Sequence, residues 1–146
     1  GCVAQQILAM SDLFLDANVV LDFLLKRPPF DRAALRLFQL SDQGQIRLYV
    51  SAVTFNNAYY IAARLQGKAK ALQMMVDLSG LAVVTPVNER VIQQAVLGSF
   101  TDFEDGIQHF SALQHPAVQA IITRNGADFK ASQLPVYAPD EVLALI

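Results

Sequence analysis

Three observations predict an α/β domain built on a mostly parallel sheet. Five short apolar runs, Leu13–Leu15, Arg47–Val50, Leu81–Val84, Val118–Thr123 and Pro135–Tyr137, lack the strict alternation of half-exposed strands and read as strands buried on both faces. Longer stretches with helical spacing separate them, which calls for crossover connections. The 146 residues are 53% hydrophobic, enough for one core and one domain.

The elements follow in order. The first strand, "LFL", stops at Asp16; Asn18 follows, and the run Val19 to Leu25, apolar except for Asp22, reads as a short helix. Pro28-Pro29 forces a break. "FDRAALRLFQLSDQG" then carries Phe30, Ala33, Ala34, Leu37 and Leu40 on one helical face, with Gly44 as its stop. The second strand runs into Ser51, which caps "SAVTFNNAYYIAARLQG" as far as Gly67, and "KAKALQMMVDLSG" forms the next helix. "NERVIQQAVLG" and "DFEDGIQHFSALQH" make another helix pair between the third and fourth strands. "PDEVLALI" closes the chain, with Pro139 at a helix start.

Composition excludes several classes. A net charge of −2 gives no global basic signature for nucleic acid. Two local clusters, Arg64 with Lys68 and Lys70, and Lys26 with Arg27, Arg32 and Arg36, read as solvated helix faces. The single cysteine, Cys2, allows no internal disulfide and fits a reducing, cytoplasmic compartment. No apolar run reaches membrane-spanning length. The chain opens on Gly1, and Met10 just before the first strand reads as an alternative start. Residues 1–10 are therefore read as an extension, without a signal peptide's basic start, and 11–146 as the domain. Positive mean hydropathy with 16% charged residues points to apolar surface covered by a partner or a second copy. There is no glycine-rich phosphate loop, G-x-S-x-G or C-x-x-C.

Ligands of parallel sheets gather beyond the carboxyl ends of the strands. There the chain places Asp16 and Asn18; Ser51, Thr54, Asn56 and Asn57; Thr123, Arg124, Asn125 and Asp128; and, at a helix start, Asp102, Glu104 and Asp105. Each has an ordinary local role: Asp16 and Asp102 as helix caps, Glu104 and Asp105 as complements of a helix dipole, Asn125-Gly126 as a turn. Converging on one edge, they demand more. Two carboxylates about 4 Å apart repel by roughly 4 kcal/mol at an effective dielectric near 20, so three or four call for a cation. An all-oxygen set suits Mg²⁺ or Mn²⁺ and, with it, attack of water on a phosphodiester. His109 and His115 lack a second ligand at metal spacing and read as structural, and Asp22 reads as paired with Lys26 one turn on.

These residues resemble the PIN-domain family, compact metal-dependent ribonucleases that include many toxins of bacterial toxin–antitoxin pairs. "LFLDANVVLDFLL" is similar to the family's opening strand with D-x-N, "VSAVTFNNAYYI" to its S-x-x-T-x-x-E, "DFEDGIQHFSAL" to its D-x-x-D helix, and "IITRNGADF" to its T-R-N-x-x-D-F close. The resemblance extends from Ser11 to Ile146. It implies a three-layer α/β/α sandwich with a five-stranded sheet in the order 3-2-1-4-5, often as a homodimer, with an antitoxin as partner of toxin members. It also implies an acidic catalytic site of Asp16, Asp105 and Asp128 or Asn125. In that site Asp16 is the central ligand and Asp102 an accessory one, Asn18 and Thr123 orient ligands or water, and Ser51 and Asn57 give support. One position departs: where the family's second motif supplies glutamate, Asn57 stands.

The leading expectation is a Mg²⁺- or Mn²⁺-dependent endoribonuclease, with Arg64, Lys68, Arg124 and Lys130 contacting the RNA backbone. The alternative, favoured by Asn57, is a degenerate PIN domain that binds RNA or a protein without cleaving. A phosphotransferase of the haloacid-dehalogenase type would need an aspartate where Asn18 stands.

Overall fold

The computed structural model describes residues 10–146; Cys2 and most of the expected extension lie outside the described residues. The chain forms β1 (Asp12–Leu15), α1 (Ala17–Leu24), α2 (Asp31–Asp42), β2 (Arg47–Ser51), α3 (Ala52–Gln66), α4 (Lys68–Leu81) and β3 (Ala82–Thr85). It continues with α5 (Glu89–Leu97), α6 (Phe103–Ala112), β4 (Ala120–Ile122), a 3₁₀ turn (Gly126–Phe129), β5 (Val136–Tyr137) and α7 (Pro139–Leu143). All strand pairs are parallel, in the order β3-β2-β1-β4-β5, so the expected topology is the observed one. Only β4 is clearly shorter than its apolar run. Val118 N–H still bonds back to the His115 carbonyl, and Gln119 N–H reaches Asp12, so the chain enters the sheet at Ala120.

β1 lies at the centre of the sheet, and its side chains show why the run is uniformly apolar. Leu13 and Leu15 face a core shared with α1, α2, α4 and α7 through Val19, Leu37, Leu78 and Val142. Phe14 faces the opposite layer, with Tyr49, Ala112, Ile121 and Phe129. All three are fully buried. Burying such a side chain contributes roughly 1.5–3 kcal/mol, and two-faced burial removes any polar position from the strand.

Gly44 ends α2 at φ +77° and Gly67 separates α3 from α4 at φ +90°, left-handed positions that glycine fills without steric cost. Gly98 has a different reason: a Cβ there would lie 2.9 Å from the Gln94 carbonyl and 3.0 Å from the Phe110 ring. That close approach leads the chain from α5 to the start of α6. Among the described residues no helix is long and apolar enough to cross a membrane.

Candidate active site

The strands end where the polar residues begin, so β1, β2 and β4 deliver theirs to one edge. Asp16 is buried there, immediately after β1. It does cap α1: Oδ1 accepts the Ala17 N–H at 2.8 Å. Its other oxygen, Oδ2, accepts the Thr123 hydroxyl at 2.8 Å and the Asn18 amide at 3.2 Å. The cap and the site are therefore the same residue, with one oxygen for each. Burial pushes the Asp16 carboxyl above the usual carboxylate range, and the fields of Glu104 and Asp128 add to this; the bonds from Thr123 and Ala17 oppose it.

Asp102 caps α6, its Oδ1 accepting the Asp105 N–H at 3.1 Å. Asp102, Asp105 and Asp128 line a cleft of about 300 Å³ together with Lys130. Asp105 is pushed up to about 7, first by burial and then by the charges of Asp16, Asp102, Asp128 and Glu104. Five carboxylates thus share one field. Of Asp128 and Asn125, Asp128 belongs to that field, while Asn125 forms the turn before it: its N–H donates to Thr123 Oγ1 at 3.0 Å and its carbonyl accepts the Asp128 N–H at 3.0 Å.

Asn57 does not stand alone in the glutamate's place. Its Nδ2 donates to Glu104 Oε1 at 3.1 Å, tying the start of α6 to α3. Glu104, read from sequence only as a dipole complement, is a fifth acidic member of the edge. Deeper, Gln108 Nε2 donates to Thr54 Oγ1 at 2.8 Å, and the Thr54 N–H bonds Ser51 Oγ at 3.3 Å. Ser51 thus supports the site from below as the cap of α3. Gln108, missed in sequence, was signalled only by its place one turn after Asp105 on a helix that buries Ile107 and Ala112 beside the polar His109 and Ser111.

One expected pairing is corrected, and the remaining residues take these places. Asp22 is buried, and its partners are Arg27 (2.9 Å) and Arg124 (2.6 Å), not Lys26. Arg124 is held there in a two-point pair, with its guanidinium carbon 3.9 Å from the centre of the Phe30 ring. Arg64 sits near the far end of α3, about 20 Å along the helix from Ser51, and Lys68 lies beyond it; neither adjoins the carboxylates. Lys130 does, in the cleft itself. His109 is fully buried against Phe100 and Phe110, accepts the Gln133 N–H at Nε2 (3.0 Å), and is lowered by burial to about 4. It is structural. A separate cleft of about 570 Å³ between Ser11, Arg47 and Gly80 opens at the amino ends of the strands, away from this chemistry.

A family model described as the PIN domain matches residues 12–127. The chain belongs to the PIN-domain family. No curated protein sequence matches it. Its fold is similar to that of a toxin–antitoxin complex from Klebsiella pneumoniae (20% identity, TM-score 0.64, 88% of this chain and 98% of that one). It is also similar to VapBC2 from Rickettsia felis bound to a promoter DNA fragment (12%, TM-score 0.61, 85% and 96%). A third likeness is to VapC20 of Mycobacterium tuberculosis, a sarcin-ricin loop cleaving toxin (16%, TM-score 0.57, 75% and 87%).

The donors of this PIN domain are hard oxygens, and Asp105 is raised first by burial and then by four neighbouring carboxylates that outnumber Lys130; both fit a divalent cation. Asp16, Asp105 and Asp128 are the residues that would hold it, with Asp102 beside them. As placed, no group of three or more His, Cys, Asp or Glu side chains among the described residues is gathered closely enough to hold a metal ion, so these carboxylates would have to draw together around it.

Proposed function

We propose that this PIN domain is a Mg²⁺- or Mn²⁺-dependent endoribonuclease and the toxin of a toxin–antitoxin pair. The observation that carries it is the gathering of Asp16, Asp105, Asp128, Asp102 and Glu104 at the carboxyl edge, where burial first and then the neighbouring carboxylates push Asp105 up to about 7. A bound cation supplies charge stabilisation at the scissile phosphate and a more acidic water. The chain's own residues do the rest. Thr123 and Asn18 hold the Asp16 carboxylate in one orientation, and Asn57 fixes Glu104. Asp105, with Asp16 and Asp128, supplies the negative charge that would hold the cation. Lys130 offers a cation to the RNA backbone.

The structural relatives named as toxins or toxin–antitoxin complexes support the biological setting, in which the RNA substrate and a cytoplasmic site of action follow. A homodimer and an antitoxin would cover the apolar surface of the α3–α4 hairpin, where Tyr60, Leu65, Leu72 and Val76 are exposed. The deciding experiment is RNA cleavage with and without Mn²⁺, comparing the wild type with Asp105→Asn. Cleavage that needs Mn²⁺ and is lost in the variant is expected; activity unchanged by the substitution would refute the site. The alternative, binding without cleavage, is favoured by Asn57, whose amide brings no charge where a glutamate would; it predicts an RNA complex without products.

A further inference from the structure

A second cleft, about 460 Å³, opens on the other side of the loop that carries Thr123 to Asp128, between the start of α2 and the start of α7. Its walls include Phe30, Arg32, Arg124, Pro139 and Asp140. We propose that it is a nucleotide subsite, taking a base and phosphate of single-stranded RNA next to the scissile position; this rests on the ribonuclease reading above.

The floor is built in advance. Asp22, buried in the core, accepts from Arg124 Nε (2.6 Å) and Nη2 (3.2 Å) and from Arg27 Nε (2.9 Å), and it holds the Arg124 guanidinium carbon 3.9 Å from the centre of the Phe30 ring. Arg124 Nη1 makes no hydrogen bond among the described residues, and 42% of Phe30 remains exposed. A planar guanidinium locked on an aromatic ring is a stacking platform with a charged rim, which is what an unpaired base with its phosphate requires. Of the charged residues that line the cleft, Arg32 and Arg124 face the single carboxylate of Asp140, whereas carboxylates line the acidic cleft with Lys130 alone opposing them; two arginines can meet a phosphate.

Position joins the two clefts. Arg124 directly follows Thr123, whose hydroxyl holds Asp16, and Arg27 Nη2 donates to the Asn18 carbonyl at 3.2 Å, while the Asn18 amide bonds Asp16. A strand whose phosphate lies at Asp16 and Asp105 meets this platform on leaving the site. The cleft volume falls in the range that encloses ligands of nucleotide size.

The test is binding of a fluorescein-labelled single-stranded oligoribonucleotide to the full chain in EDTA, alongside cleavage of the same RNA in Mn²⁺. Phe30→Ala is expected to weaken binding roughly five- to hundred-fold, the range of one base–aromatic stack, while Phe30→Trp retains it. Arg32→Gln is expected to lower the slope of log affinity against log salt by about 0.7. Because Phe30 is partly exposed, unchanged melting of the variants confirms their fold. If Phe30→Ala binds like the wild type while the wild type binds and cleaves RNA, the subsite is refuted and the ribonuclease reading stands. If the wild type neither binds nor cleaves, both fall.

Discussion

Replacing Asp105 by asparagine is expected to stabilise the metal-free protein at alkaline pH. The folded state holds the Asp105 proton to about 7, against an ordinary value of 3.8. A carboxyl whose folded value is raised contributes stability that is complete below the unfolded value and lost as the pH climbs through the folded one. The span from 3.8 to about 7 is worth roughly 4 kcal/mol if wholly expressed in folding. Asp105 is only part-buried, so water screens the repulsion and about 1–2 kcal/mol is the expected share. In chelator at pH 8, Asp105→Asn removes that repulsion and should melt about 3–6 °C higher than the wild type. The difference should shrink as the pH falls towards 4, where the carboxyl is protonated in the folded state and partly protonated in the unfolded one, and vanish below 3.8. Millimolar Mn²⁺ should reverse the order, because the ion needs the charge that the variant lacks. A variant less stable than the wild type at pH 8 in chelator, or a gain independent of pH, would falsify the crowded-carboxylate explanation.

Three further outcomes follow from the same geometry. Thr123→Val removes the 2.8 Å hydroxyl bond to the buried Asp16 carboxylate and should cost about 1.5–3 kcal/mol in urea denaturation at pH 7, with less loss at pH 4. Asp22→Asn leaves two arginines without their shared carboxylate and should cost about 2–4 kcal/mol by the same measure, although Asp22 lies outside the acidic cleft. His109, lowered to about 4, contributes stability above its unfolded value near 6.5 that is lost as the pH falls towards 4. Denaturation midpoints between pH 7 and 4 should therefore drop more steeply in the wild type than in His109→Gln, whose side-chain oxygen can still accept the Gln133 N–H.

The sheet was legible because its strands are buried on both faces, so apolar runs and strands nearly coincide. Asp16 was legible in both of its roles, since a carboxylate directly after a buried strand has only a helix start and a sheet edge to serve. What escaped was set by contacts distant in sequence. Asp22 was assigned to Lys26 by helical spacing, but Arg27 and Arg124 reach it, and an arginine fork satisfies a buried carboxylate better than a solvated ammonium does. Lys26 itself takes φ +53° at the end of α1. Asn57 read as a missing charge because its partner, Glu104, comes from another layer of the fold.

The central claim is that the acidic edge is arranged to hold a divalent cation, and titration calorimetry of Mn²⁺ tests it most directly. Saturable binding to the wild type that Asp16→Asn abolishes is the expected result. Heats of simple dilution for the wild type at millimolar Mn²⁺, or identical binding by Asp16→Asn, would contradict it.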